Sequence, residues 1–151
     1  MATLRHTIEI KTPLKTVWDI LMDLEQVGHY NPLVASVKIL SEKKAGVGAS
    51  RECQFKPKGS GKERIVEIQD MSSITMEMYE SDWPLEFMNW TNTLSETNGY
   101  TTLQTETRYL LKFGILGTLL DQLMMKHKFN KILSELFASL KNYAEAQYGN
   151  R

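Results

Sequence analysis

The histidines and the single cysteine are the residues on which metal or nucleophilic chemistry would depend. His6, His29 and His127 are far apart in the sequence, and Cys53 has no His, Asp or Cys nearby at the spacing of a ligand set. The glycine-containing segments match neither a phosphate-binding loop nor a dinucleotide-binding fingerprint. We therefore expect no metal site and no cofactor.

Two histidines are candidates for acid–base chemistry. His127 belongs to the apolar stripe of a predicted C-terminal helix, where it could act as a general base or bind a ligand oxygen. The alternative is a position at the rim of the sheet with access to solvent, and this alternative is stronger for His6, near the start of the chain. Tyr109 is a further weak candidate, so the catalytic residues remain unknown.

Arg51 and Arg64 are predicted neighbours on an inward face of the sheet. A buried guanidinium needs a partner, and a ligand carboxylate or ketone would serve. A slip of one residue in register would instead turn one or both side chains outward.

Large side chains and hydrogen-bonding side chains are combined on one predicted face of the sheet. This combination suits a cavity for a partly polar, largely apolar guest. The alternative is a filled core with satisfied hydroxyl groups, and methionines could give a cavity an adaptable wall. The predicted ligand-binding residues are Arg51, Arg64, Met76, Met78, Met88, Trp90, Asn92, Thr105, Thr107, Tyr109, Leu123 and His127.

The strands that must position these residues are predicted from alternation and turns. A first strand alternates apolar and polar residues around Ile8, and two short helices follow it. Asn98-Gly99 predicts a tight type I′ hairpin. It places opposite one another the pairs Leu94 and Leu103, Asn92 and Thr105, Trp90 and Thr107, and Met88 and Tyr109.

Earlier strands are aligned less firmly because their turns are longer. The predicted inward rows are Ile74, Met76 and Met78, then Arg64, Val66 and Ile68, then Arg51, Cys53 and Phe55. A long helix follows the last strand and runs to about residue 147. Its predicted inward stripe is Leu116, Leu119, Leu120, Leu123, His127, Leu133, Leu136, Phe137, Leu140 and Tyr143.

This order predicts one α+β domain over residues 1–151, with a seven-stranded antiparallel sheet curved around the long helix. Lys and Arg together number 18, as do Asp and Glu, so we expect no nucleic-acid partner. No stretch is apolar enough for a signal peptide or a membrane span, and a cytoplasmic protein is expected. The sequence leaves open whether the protein forms a weak homodimer.

Three segments carry a resemblance to a known family: Pro13–Asp23 after the first strand, the Tyr30-Asn-Pro32 turn, and Gly46–Cys53. Together with the closing helix they resemble the polyketide cyclase/dehydrase and START-related lipid-transport superfamily, whose fold is called helix-grip. The resemblance covers nearly the whole chain. It implies an internal cavity for an apolar ligand, but no particular catalytic residue.

Three functions follow as hypotheses. The first is binding or transport of a hydrophobic small molecule such as a lipid, a quinone or a polyketide-like metabolite. The second is a metal-independent cyclase or dehydratase, a lyase or isomerase in class, that uses His127, Tyr109, Arg51 or Arg64. The third is a protein-interaction module that uses the loops around Tyr30 and Trp83.

Overall fold

The sheet and its helices account for most of residues 1–120 and 124–150, which are the residues that the computed structural model describes. The strands are β1 Ala2–Ile10, β2 Val34–Ile39, β3 Ser50–Phe55, β4 Ser60–Gln69, β5 Ser73–Ser81, β6 Leu85–Thr97 and β7 Tyr100–Leu111. The helices are α1 Leu14–Met22, α2 Val27–Tyr30, α3 Gly114–Leu120 and α4 Lys126–Gly149, with a 3₁₀ turn at Leu24–Gln26.

The strands form an antiparallel sheet in the order β1-β7-β6-β5-β4-β3-β2. The chain thus runs along the sheet from β2 to β7, and β1 completes it by pairing with β7. The predicted seven-stranded α+β architecture is confirmed. Helix α4 lies against the sheet and is tied to it by Lys141, whose Nζ donates to the Glu9 carbonyl at 2.6 Å.

The hairpin between β6 and β7 has the predicted register. Asn98 and Gly99 have φ values of 54° and 80°, the positive values that a type I′ turn requires. All four predicted cross-strand pairs are observed. Alternate residues of β7 from Thr101 to Leu111 are buried, so this strand presents one face to the core.

A bulge in β4 overturns one predicted row. Ile68 pairs with Ile74 as expected, but Val66 is an extra residue between Glu67 and Ile65. Because one extra residue exchanges the two faces of a strand, the rest of β4 is turned over. Arg64 and Val66 therefore lie on the outer face, and the inward positions belong to Glu63 and Ile65.

Helix α4 buries a stripe at spacings of three and four residues. The buried residues are Phe129, Leu133, Phe137, Leu140 and Ala144. His127 precedes Phe129 by two positions, about 200° around the helix, and its side chain is exposed. Its predicted inward position was wrong because the apolar pattern before residue 124 is not in phase with this stripe.

Two residues of helix α3 do not have the burial that was predicted for them. Leu116 and Leu119 are 62% and 51% exposed. Leu123 lies outside the described residues. No helix in the described ranges is long and apolar enough to cross a bilayer.

Candidate functional site

A cavity of about 100 Å³ lies between the inner face of the sheet and helix α4. The sheet contributes Phe55, Met78, Met88, Trp90, Asn92, Thr105 and Thr107 to its wall, and α4 contributes Phe129, Ile132, Leu133, Leu136, Phe137 and Leu140. The remaining lining residues are Leu21, Val27, Tyr30, Asn31, Leu33, Arg51, Glu63 and Trp83. The wall is mostly apolar, with polar groups at two places.

The first polar place is on the central strands β6 and β7. Thr105 Oγ1 donates to Asn92 Oδ1 at 2.6 Å, and both residues are buried. Among the described residues neither Asn92 Nδ2 nor the Thr107 hydroxyl has a hydrogen-bond partner, and both residues line the cavity. A guest in the cavity would therefore meet one free amide donor and one free hydroxyl.

The second polar place is a buried ion pair at the other end of the cavity. Arg51 Nε donates to Glu63 Oε2 at 2.7 Å, and Arg51 Nη1 donates to the Leu24 carbonyl at 3.1 Å. Tyr30, which also lines the cavity, is close enough to Arg51 for the guanidinium to favour ionisation of its hydroxyl. The partner that a buried arginine requires is thus supplied by the protein itself.

Burial and charge set the ionisation of this cluster. Burial is the largest single influence and disfavours the charged guanidinium, but Glu63, Tyr30 and Cys53 together outweigh it, and the pKa of Arg51 is raised. Burial also raises the pKa of Tyr30, against the opposing effect of Arg51. Both groups are therefore hydrogen-bond donors at neutral pH. Burial, with repulsion from Glu63, raises the pKa of Cys53 to about 12, so its thiol stays protonated.

Most of the predicted site residues lie in the cavity wall or directly behind it. The cavity wall includes Arg51, Met78, Met88, Trp90, Asn92, Thr105 and Thr107. Met76 is buried in the core without lining the cavity, and Tyr109 is buried behind the wall with its ring centroid 5.0 Å from that of Phe129.

Arg64 and His127 lie outside the cavity, which corrects the prediction for both. Arg64 pairs with Glu77 on the outer face and lies over the Tyr79 ring, 4.7 Å from its centroid. His127 is exposed on the far side of α4.

His6 lies inward on β1, as the alternation predicts. Its ring centroid is 5.4 Å from that of Phe137, and its cross-strand neighbour is Thr105. Both ring nitrogens are buried without a hydrogen-bond partner in the described structure. The Phe137 ring lies against the imidazole and also lines the cavity, so His6 is next to the wall.

A surface groove adjoins the cavity. The groove has a volume of about 410 Å³ and is lined in part by Pro32, Lys56, Pro57 and Glu135. Its remaining lining residues, Asn31, Leu33 and Ile132, also line the cavity. These three residues are therefore the place where the cavity and the groove meet.

Comparison with known proteins assigns the family. The family described as polyketide cyclase / dehydrase and lipid transport matches residues 1–145. The chain belongs to this family. A search of curated proteins found no match.

Solved structures of low sequence identity share the helix-grip fold of this polyketide cyclase/dehydrase family. TTHA0849 from Thermus thermophilus is 19% identical with a TM-score of 0.80, over 97% of this chain and 99% of that one. The Zhui aromatase/cyclase from Streptomyces sp. R1128 is 14% identical with a TM-score of 0.82, over 95% and 93%. XoxI from Bacillus cereus is 16% identical with a TM-score of 0.74, over 95% of both chains.

Several site residues were not among the predicted ligand-binding set of this family member. Glu63 was missed because the Val66 bulge, which brings it inward, has no marker in the sequence. Tyr30 and Trp83 were predicted as loop residues of an interaction module, but both line the cavity, and Trp83 stacks on Phe55 at 4.4 Å between ring centroids. The helix residues Leu133 and Phe137 were recognisable, since both were in the predicted apolar stripe.

In the described ranges, no three His, Cys, Asp or Glu residues are grouped to hold a metal ion.

Proposed function

We propose that this protein binds a hydrophobic small molecule that carries at least one hydrogen-bonding oxygen, in the cavity between the sheet and α4. The observation that carries the proposal is the apolar cavity whose wall presents an unpartnered Asn92 amide and Thr107 hydroxyl. Burying these groups against an apolar filling would cost free energy, whereas a guest oxygen would satisfy them. Membership of a lipid-transport and cyclase family is consistent with such a guest.

The size of the cavity restricts the guest. An engineered cavity of about 150 Å³ accepts benzene, so the cavity of about 100 Å³ admits a short branched chain as it stands and a single ring once its wall adjusts slightly. Met78 and Met88 line it, and their unbranched side chains can adopt other rotamers to admit a larger guest. A quinone or polyketide-like ring system would require this adjustment.

The first experiment compares native and denaturing mass spectra of the purified protein and extracts any retained molecule. The second titrates phenol and toluene, which differ by a hydroxyl group in place of a methyl group, by isothermal titration calorimetry. We expect phenol to bind more tightly than toluene. Thr107→Val should reduce this preference about fivefold, since one neutral hydrogen bond contributes about 1 kcal/mol.

The matched control is Thr102→Val, on the same strand but at an outward position. It should leave both affinities unchanged. If no molecule is retained and neither probe binds, the cavity is not a binding site and the proposal fails. An equal effect of both valine variants would show that the hydroxyl of Thr107 does not contact the guest.

A second candidate function is catalysis of the cyclase or dehydratase type. The observation that favours it is the Arg51 guanidinium beside Tyr30 at one end of the cavity, because two fixed donors could polarise a substrate carbonyl. Once a substrate is identified, Tyr30→Phe should lower kcat without altering the fold. Tyr109→Phe tests the role predicted from the sequence, and His127→Ala serves as an exposed control. Unchanged turnover in Tyr30→Phe would exclude the proposed role of Tyr30.

A further inference from the structure

Large apolar side chains are exposed along one segment of the chain, from the end of β7 to the start of α4. Each of them is more than half exposed. The members are Phe113 at 65%, Ile115 at 91%, Leu116 at 62%, Leu119 at 51% and Met124 at 67%. We call these five residues the apolar patch. Exposed apolar groups concentrated in this way are typical of an interaction surface.

Lysines flank the apolar patch along the chain. Lys112, Lys126 and Lys128 are exposed, and none of the three has an ion-pair partner in the part of the chain that the structure describes. The sequence from 112 to 134 contains four lysines and a single acidic residue, Asp121, although the whole chain has a formal charge of zero. The local excess of lysine is therefore a property of this surface.

We propose that the apolar patch docks onto an anionic lipid surface. Apolar side chains that enter the interface while flanking lysines remain at the headgroups are the combination by which surface helices bind membranes. A second copy of this chain fits less well, because two-fold pairing of the same patch would bring like-charged lysines together. Anionic headgroups instead supply the opposite charge.

Docking in this orientation would place one end of the cavity near the bilayer. Phe129, which lines the cavity, follows Lys126 and Lys128 within the first turn of α4. The inference therefore extends the proposed function by naming the surface at which an apolar guest would be exchanged. Docking itself needs no guest and can be tested separately.

The test is co-sedimentation of the purified full-length protein with vesicles of phosphatidylcholine alone and of phosphatidylcholine mixed with phosphatidylglycerol. We expect binding to the mixed vesicles, weaker binding at high salt, and little binding to phosphatidylcholine alone. The double variant Lys126→Gln/Lys128→Gln should weaken partitioning about 25-fold, since each lysine near an anionic surface contributes about fivefold. Ile115→Ser/Leu116→Ser should also weaken it.

Matched controls lie on the loop between β2 and β3, where Val47 is 50% exposed and Lys44 is exposed. Val47→Ser and Lys44→Gln should sediment with vesicles as the wild type does. The proposal is overturned if the wild type does not bind mixed vesicles, or if the lysine variant binds them undiminished. It is also overturned if light scattering shows a dimer that Ile115→Ser/Leu116→Ser dissociates. Phenol binding measured without vesicles reports on the cavity alone, so failure of either proposal is recognised independently.

Discussion

The ion pair of Arg51 and Glu63 gives one end of the cavity a polar character without giving it a net charge. Both side chains are less than a tenth exposed. The carboxylate offsets the guanidinium, so a guest need not be an anion to be accommodated there. The remaining N–H groups of Arg51 and the protonated hydroxyl of Tyr30 can donate to a neutral oxygen. A ketone or hydroxyl therefore suits this end better than a carboxylate.

Replacing one partner of the Arg51–Glu63 pair should lower the free energy of unfolding far more than replacing both. Glu63→Gln leaves a buried guanidinium without a counter-ion, and we expect it to lower the free energy of unfolding by about 3–5 kcal/mol. The double variant Arg51→Met/Glu63→Leu should be more stable than Glu63→Gln, because neither replacement carries a charge. Urea denaturation monitored by circular dichroism measures both effects.

The exposed pair of Arg5 and Glu106 provides the control. Its side chains are 74% and 44% exposed, and Glu106→Gln should change the free energy of unfolding by less than about 1 kcal/mol. If Glu63→Gln were no more destabilising than Glu106→Gln, the buried pair would not have the electrostatic importance argued here.

The environment of Cys53 predicts slow thiol chemistry and a loss of stability at alkaline pH. Its pKa is raised from 9.0 to about 12, so the thiolate fraction in the folded protein near pH 8 is about 1000-fold lower than in the unfolded chain. A disulfide reagent should therefore modify native Cys53 on the order of 1000-fold more slowly than the urea-unfolded protein.

The stability effect has a definite sign. Between pH 9.0 and about 12 the unfolded thiol loses its proton while the folded thiol keeps it, so the free energy of unfolding falls as pH rises through this window. Cys53→Ala should reduce that slope. An identical slope in the variant, or rapid labelling of the native protein, would contradict the raised pKa.

At the scale of elements, the long helix and the sheet face each define one wall of the cavity. Helix α4 presents Phe129, Leu133 and Phe137 at helical spacing, and β7 presents Thr105 and Thr107 at strand spacing. The tight hairpin fixes β6 against β7, so the two polar strands cannot slide relative to one another. The polar groups are consequently held at constant positions under the helix.

The difference in side-chain burial between α4 and α3 predicts different losses of stability on mutation. Leu140 is 1% exposed, and Leu140→Ala should lower the free energy of unfolding by about 2–5 kcal/mol. Leu119 on α3 is 51% exposed, and Leu119→Ala should change it by less than about 0.5 kcal/mol. Equal effects in thermal and urea unfolding would mean that α3 is packed as tightly as α4.

Elements were predictable wherever a local pattern determines them. Asn98-Gly99 fixed the register of β6 and β7 because a tight turn leaves no choice of pairing. The faces of β4 could not be predicted, since an extra residue at Val66 exchanges them and nothing in its side chain marks a bulge. The exposure of Leu116 and Leu119 was not predicted, because these leucines look like part of one continuous apolar stripe with those of α4.

At the scale of the whole molecule, the architecture follows from the order of predicted elements, while the details of the site do not. Seven strands and a closing amphipathic helix can bury their apolar faces in few ways, and the family match over residues 1–145 is in agreement. The polar wall at Asn92 and Thr107 followed from strand alternation. The pairing of Arg51 with Glu63 depends on the bulge at Val66, which the periodicity of the sequence does not reveal.

The pairing of β1 with β7 delays completion of the sheet until β7 has been synthesised. Arg5 bonds to Glu106, 101 positions later in the chain. At a synthesis rate of about 5–20 residues per second, the first strand waits roughly 5–20 s on the ribosome before its neighbour exists. Its inward residues, Leu4 and Ile10 among them, have no place in the sheet during that time. We therefore expect the nascent chain to need chaperones that cover the unpaired apolar strand. The hydrophobic core should be completed late in synthesis.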